Sequence, residues 1–127
     1  MTPEVEVAIA EIKAAFPSSE IEVASEPQGG AYLIVQNLAI GERYIPNTTW
    51  IGFLITFQYP DADVYPHFIR GDLKRADGQS FPAGISGPMT WQYQSALQVS
   101  RRSNRWTAGV DTAASKLAKV LNWLRTV

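Results

Sequence analysis

Residues 21–58, "IEVASEPQGGAYLIVQNLAIGERYIPNTTWIGFLITFQ", contain three strand-like stretches separated by short turn-forming segments. Residues 21–25 alternate apolar and polar side chains, as a strand with one covered face does. Residues 31–40 are apolar on both faces, which predicts a central strand, and residues 50–58 are apolar enough to predict a strand covered on at least one face. Residues 26–30 carry the proline and glycines of a turn. Because the connections are short, this stretch predicts an antiparallel meander.

Helical patterns flank the meander on both sides. Thr2 and Pro3 suit the start of a helix, and apolar residues then recur at helical spacing as far as Phe16. Asp111 is a predicted N-cap for a second helix, "TAASKLAKVLNWLRT", over residues 112–126. Strands grouped between two helices predict an α+β fold, and the length of 127 residues predicts a single domain over 1–127.

The region after the meander is harder to assign. Residues 59–68, "YPDADVYPHF", contain two Tyr-Pro pairs, which favour at most a short edge strand over residues 64–69. Residues 71–90 include four glycines and two prolines and predict a long irregular segment, a kind that is often functional. Residues 91–100, "WQYQSALQVS", fit either a final strand or an extended segment.

Composition excludes several function classes. The chain is 46% hydrophobic and 18% charged with a net charge of −1, which is typical of a globular domain and argues against a nucleic-acid binder. It has no cysteine, so disulfides, zinc–cysteine sites and thiol catalysis are excluded. No apolar run approaches the ~20 residues of a membrane span, and the acidic N-terminus is unlike a signal peptide. These features predict a cytoplasmic protein that does not bind membranes.

The one histidine, His67, follows two nearby aspartates, Asp61 and Asp63. This spacing is conceivable for a metal site, but a histidine that packs or hydrogen-bonds locally is the favoured interpretation. Phosphate-binding glycine loops and the Gly-x-Ser-x-Gly nucleophile motif are absent from the sequence. We therefore expect neither a metal nor a cofactor, and nucleophilic hydrolysis is disfavoured.

The strongest positive cluster is Arg101, Arg102 and Arg105, with Asn104 and Trp106 among them. Two interpretations stay open for the arginines. They bind an acidic surface, a carboxylate tail or a phosphate, or they are solvated and paired with acids such as Asp111. Asn104 and Trp106 are candidate polar and apolar anchors of the same loop, and the size of Trp106 favours a place in the core.

In the order of these motifs the chain resembles the ubiquitin-conjugating (E2) superfamily, specifically the bacterial E2-like family encoded in operons with an E1-like enzyme, a JAB-type protease and ubiquitin-like proteins. The resemblance covers nearly the whole chain. It rests on "YIPNTTWIGFLI" (44–55), "TFQYPDADVYPHF" (56–68) and "SRRSNRWTAGVDTAASKLAKVLNWL" (100–124). It implies a ubiquitin-conjugating-like fold with an N-terminal helix, an antiparallel meander, a long segment at the active site and a C-terminal helix.

The departure from that family concerns the nucleophile. E2 proteins carry a cysteine ahead of the tryptophan, and here "ALQV" (96–99) places Ala96 at that position, with Gln98 as the alternative equivalent. The His-Pro-Asn motif of E2 enzymes has no clear match either. Neither residue can form a thioester, which requires a thiolate. Three explanations stay open: a natural pseudo-enzyme, a deliberately replaced cysteine, or an ester formed on Ser95 or Ser100. The pseudo-enzyme is favoured.

The resemblance implies two protein partners. The first helix, with Glu4, Glu11 and Lys13 exposed, is the surface expected to meet an E1-like adenylating enzyme. The second partner is a ubiquitin-like protein, whose C-terminal tail is expected to contact the segment from Ser95 and the arginine cluster with Asn104. The alternative function is a stand-alone ligand-binding or scaffolding domain with no role in conjugation.

Overall fold

A computed structural model describes all residues, 1–127, and has an α+β architecture consistent with a ubiquitin-conjugating-like fold. Ten elements follow one another along the chain: α1 (Pro3–Ala15), β1 (Ile21–Ser25), β2 (Ala31–Ala39), β3 (Tyr44–Ile45), β4 (Thr48–Ile55), β5 (His67–Arg70), β6 (Lys74–Arg75), β7 (Ile85–Trp91), β8 (Gln94–Val99) and α2 (Ala113–Thr126). Neither helix combines the length and the apolar character needed to cross a membrane.

Six strands form the main sheet in the order β1-β2-β4-β5-β8-β7, and every neighbouring pair is antiparallel. The predicted meander is confirmed as β1, β2 and β4. The edge strand predicted over residues 64–69 is wrong in position, because β5 lies between β4 and β8. The second Tyr-Pro pair ends at Pro66, one residue before β5 begins, so the proline does not interrupt its hydrogen bonds.

The irregular segment predicted over residues 71–90 is only partly confirmed. Residues 71–84 are irregular apart from the two-residue strand β6, but residues 85–91 form β7 at the edge of the main sheet. Pro88 is tolerated there because an edge strand leaves one row of backbone groups unpaired. The pairing of β7 with β8 also shifts register between Ser86 and Met89, which accommodates the Gly-Pro pair.

One face of the main sheet packs against both helices. The buried side chains of this core include Leu33 and Val35 of β2, Ile51 and Phe53 of β4, Ile69 of β5, and Leu97 and Val99 of β8. Helix α1 contributes Val5, Ala8, Ile9 and Ile12, and α2 contributes Leu117, Val120, Leu121 and Leu124. Both sets recur at helical spacing, so each helix buries one stripe and leaves the opposite face in solvent.

The other face of the sheet carries an aromatic cluster that no helix covers. Trp91 stacks on Phe68 with ring centroids 4.8 Å apart and on Trp50 at 6.1 Å, and Tyr32 meets it edge-on. The cluster lies over Gly52, where an added Cβ would come within 2.2 Å of the Trp91 ring. A glycine is therefore needed at the centre of β4 for the tryptophan to lie flat on the sheet.

Both helices are capped by threonine. The Thr2 side chain accepts a hydrogen bond from the Val5 N–H, as the sequence predicts. For α2 the predicted cap is wrong by one residue, because Thr112 rather than Asp111 is the N-cap and forms a reciprocal capping box with Ser115. Asp111 is thereby free to bind the preceding loop.

Candidate functional site

The arginine cluster follows β8 and lines a pocket of about 300 Å³ against α2, called the arginine pocket below. Its loop side consists of residues 101–105 together with Asp111, and its helix side is formed by Lys116, Lys119, Val120 and Trp123. The helix residues recur at spacings of three and four and so share one face of α2. The pocket thus contains five basic side chains and one acidic one, so its lining is predominantly positive.

The three arginines form no ion pair, so the interpretation that acids such as Asp111 neutralise them is wrong. Asp111 instead accepts a hydrogen bond from the Thr107 N–H at 2.7 Å and lies 3.8 Å from Lys119 Nζ. Arg101 lies over the Trp123 ring at 4.7 Å from its centroid. Arg102 lies over the Tyr65 ring at 4.4 Å. Stacking orients a guanidinium while its in-plane N–H groups stay available to a ligand.

A buried ion pair fixes the loop beneath these arginines. Lys116 Nζ lies 3.0 Å from both carboxylate oxygens of Asp63 and donates to Ser103 Oγ at 2.8 Å. The same carboxylate accepts the Ser103 N–H at 2.9 Å. Burial favours a raised pKa for Asp63, but the bonds from Ser103 and Lys116 outweigh it and hold the pKa below its ordinary value. The loop is therefore attached to α2 by charge-assisted hydrogen bonds.

Trp106 anchors the far end of the loop. It is partly buried against the core, as predicted, and its Nε1 donates to the Pro60 carbonyl at 2.7 Å. Tyr59 lies beside it with ring centroids 6.3 Å apart, and the Tyr59 hydroxyl accepts the Ala113 N–H at the start of α2. The Tyr-Pro segment at residues 59–60 thus supports both the loop and the helix that form the arginine pocket.

His67 lies on the core face of β5 and is fully buried, with no hydrogen-bond partner for either ring nitrogen. Burial, and secondly the positive charge of Lys116, lowers its pKa to about 3, so the ring is neutral at pH 7. No group of three histidine or acidic side chains lies together, and Asp63 is engaged by Lys116 and Ser103. The conceivable cluster of Asp61, Asp63 and His67 therefore does not form.

Ala96 and Gln98, the predicted equivalents of the E2 cysteine, both lie within β8, an inner strand of the sheet. Ala96 is fully buried opposite Arg70 and Met89. Gln98 is half-buried and donates to Ser100 Oγ at 3.1 Å. Neither residue lines the arginine pocket. The predicted cysteine positions, 96 and 98, therefore lie outside the pocket that the arginines line. Because Ala96 is fully buried, a thiol at that position would not reach solvent.

The three residues assigned to the partner surface of α1 are all exposed, but they do not share one face. At 100° per residue, Glu4 and Glu11 lie on one flank of the buried stripe and Lys13 lies on the other. Glu11 is close enough to Tyr59 for its charge to reinforce the effect of burial in raising the pKa of that phenol. A lysine at position 13 therefore faces away from the two glutamates, and the contact of all three residues with one partner stays a prediction.

Hydrogen-bond donors dominate the lining of the arginine pocket. The arginine pocket offers many N–H donors, and its one carboxylate already accepts a loop N–H and faces Lys119. Sequence patterns alone missed Lys116, Lys119 and Trp123 as members of this site. Their common helix face was a usable signal, but only the folded chain shows which loop that face meets.

The chain matches a known protein family. The model of prokaryotic E2 family E matches residues 16–127, nearly the whole chain. No curated protein and no solved structure shows significant similarity to the chain. The matched residues include all eight strands, the arginine loop and α2. The chain therefore belongs to prokaryotic E2 family E.

Proposed function

We propose that this chain is an E2-like component of a bacterial ubiquitin-like conjugation system that recognises its partners without carrying a thioester. The ubiquitin-like protein presents its C-terminal tail to the arginine pocket, and an E1-like adenylating enzyme meets the glutamate flank of α1. Family membership supports the E2-like role. The absence of cysteine in these residues supports recognition without a covalent thioester.

The observation that carries the tail-binding proposal is the set of three arginines without acidic partners. A tail that is not joined through a thioester ends in a free carboxylate, which arginine binds with two parallel hydrogen bonds. Val120 and Trp123 supply an apolar wall for the aliphatic part of the tail. Asn104, exposed on the loop, offers both a donor and acceptors to the tail backbone.

The ion pair between Lys116 and Asp63 orders the binding site before a tail arrives. Lys116 is only 4% exposed and is held by Asp63, so it fixes the loop and leaves ligand binding to the arginines. Arg101 and Arg102 are already oriented by Trp123 and Tyr65 before a ligand arrives. A ligand therefore loses less affinity to the ordering of these side chains than it would on a mobile loop.

The experiment is a binding assay with an E1-like enzyme and a ubiquitin-like protein from the genome that encodes this chain. The immobilised chain is expected to retain both. Changing Arg101 and Arg102 together to alanine should lower retention of the ubiquitin-like protein at least about tenfold and leave retention of the E1-like enzyme unchanged. Lys13→Ala combined with Lys74→Ala removes two exposed charges elsewhere and serves as the control.

Three results count against the proposal. Unchanged retention of the ubiquitin-like protein by the double arginine variant removes the arginine pocket as the tail site. An equal loss in the lysine control shows that net charge rather than the pocket is responsible. A genome that encodes neither partner near this gene favours a stand-alone ligand-binding or scaffolding domain.

A further inference from the structure

Two adjoining depressions, of about 580 and 380 Å³, lie between α1 and the Tyr-Pro turn that follows β4. They share three lining residues, Glu4, Tyr59 and Pro60, and so form one continuous groove, called the α1 groove below. One end runs along residues 57–62, and the other reaches Gly109 to Thr112 ahead of α2. Nothing in the chain covers this groove.

Large apolar side chains are exposed along its length. Val7, which lines the groove, is 59% exposed, and Phe57 is 46% exposed at the opposite end. Val110, which is 75% exposed, lies between two lining residues. Val7 is outside the stripe that α1 buries, so it contributes little to the core. Exposed apolar side chains gathered on one surface are typical of a site that binds another protein.

Acidic side chains surround this apolar surface. Glu4, Asp61 and Asp111 line the groove, and Glu11 lies near Tyr59 on the same flank of α1. No basic residue lines either depression. Glu4, Glu11 and Asp61 form no ion pair within the chain. The two charged residues on the other flank of α1, Glu6 and Lys13, are of opposite sign, so the negative surface is confined to the groove side.

We infer that the α1 groove docks a basic segment of a protein partner in which apolar side chains alternate with lysine or arginine. The apolar side chains fill the space beside Val7 and Pro60, and the basic ones meet the carboxylates at the rim. This inference deepens the proposed function, because it defines the chemistry of the segment that the E1-like partner must present to α1. Burial of apolar area supplies the affinity, and the opposite charges fix orientation and accelerate association.

The groove and the arginine pocket meet at Asp111, which lines both. Their charges are opposite, so each rejects the ligand of the other. A basic segment is repelled by Arg101 and Arg105, and an acidic tail is repelled by Glu4 and Asp61. Two partners, or two segments of one partner, can therefore lie side by side on this end of the molecule without exchanging sites.

The test uses synthetic peptides, so its outcome does not depend on the natural partner. Nuclear magnetic resonance of the ¹⁵N-labelled chain is recorded with a peptide that alternates leucine and arginine, and with one that alternates leucine and glutamate, both blocked at their ends. The basic peptide is expected to shift the amide signals of Glu4 and Val7 and those of the residues flanking Pro60, residues 58–59 and 61–62. The acidic peptide should leave these signals in place.

Matched variants identify the groove. Glu4→Gln combined with Glu11→Gln should weaken the basic peptide about tenfold, whereas Glu6→Gln combined with Glu22→Gln removes two other exposed charges and should have little effect. Val7→Ser should weaken it as well, whereas Val23→Ser on the edge strand β1 should not. All four variants change exposed residues, so folding is preserved.

The inference is overturned if the basic peptide does not bind, shifts signals elsewhere, or binds both glutamate double variants equally. Binding of the peptide at the groove together with failure of the E1-like enzyme to bind the chain overturns the proposed function alone. The converse, binding of the enzyme with no effect of the Glu4, Glu11 or Val7 changes, overturns the groove alone.

Discussion

The carboxylate of Asp63 holds Lys116 Nζ at 3.0 Å from both of its oxygens, across 53 positions of the chain. Lys116 is 4% exposed, and the side chain of Asp63 is 21% exposed. Because Ser103 bonds to both partners, this pair joins the Tyr-Pro segment, the arginine loop and α2. These contacts attach the arginine loop to α2 at the arginine pocket.

Removing Asp63 should lower the free energy of unfolding more than removing Lys116 does. Asp63→Ala leaves a buried ammonium without a counter-charge and should lower the free energy of unfolding by about 2–4 kcal/mol. Lys116→Met leaves Asp63 its bonds from Ser103 and should cost less. Urea unfolding of both variants and of the double variant measures the difference. Equal losses for the two single variants would contradict this assignment.

His67 predicts a specific dependence of stability on pH. Its folded pKa of about 3 lies below the ordinary 6.5, so between these values the unfolded chain binds a proton that the native chain does not. Stability should therefore fall as the pH drops from 6.5, by up to about 1.4 kcal/mol per unit. Asp63, whose pKa is lowered from 3.8, adds to the loss only below about pH 4.

The matched variant is His67→Leu, which removes two unpaired buried nitrogens. It should flatten the stability profile between pH 6.5 and 4 and leave stability at pH 7 unchanged or higher. Urea unfolding across this pH range measures the profile. Because His67 is the only histidine, its ring signals in the native chain are unambiguous, and a titration near pH 6.5 would refute the assignment.

Gly52 is predicted to be irreplaceable while Trp91 lies over it. In Gly52→Ala the new methyl would sit 2.2 Å from the Trp91 ring, so the stack with Phe68 must open. We expect a loss of about 1–3 kcal/mol in unfolding free energy and a change in tryptophan fluorescence. In a Trp91→Leu background, Gly52→Ala should cost much less unfolding free energy than it does beside Trp91. If the losses of the two single variants simply add in the double variant, the two residues are not in contact.

A cysteine at position 96 should be unreactive in the folded chain. Ala96 is fully buried, whereas Tyr93 at the adjacent turn is 100% exposed, and the chain has no other thiol. Ala96→Cys should react with a thiol reagent at least about a hundredfold more slowly than Tyr93→Cys, and equally fast in denaturant. Similar rates in the folded state would restore position 96 as an accessible nucleophile site.

Sequence patterns correctly predicted the helices and strands whose main contacts are with segments nearby in the chain. The meander follows from the apolar runs of β2 and β4, and α1 begins after Thr2 as expected. Strand β7 was missed because Gly87 and Pro88 are signals of a loop, and only its position at the sheet edge makes them compatible with a strand.

Of the arginine pocket, the sequence predicted only the side formed by the loop after β8. Consecutive arginines are visible in the sequence, but the pairing of Asp63 with Lys116 joins residues far apart and has no local signature. The burial of Ala96 was equally hidden, since β8 gains its inner position only when β7 pairs along its outer side. Long-range contacts decide burial, and these are what a single sequence leaves unspecified.

The most direct test of the proposed tail recognition by the arginine pocket is calorimetric titration of the chain with a peptide of the C-terminal tail of a ubiquitin-like protein, ending in a free acid or in an amide. We predict that the free acid binds at least about tenfold more tightly, and that Arg101→Ala combined with Arg102→Ala abolishes the preference. Lys13→Ala combined with Lys74→Ala should keep it. Equal affinity of the acid and the amide for the unmodified chain would contradict the account.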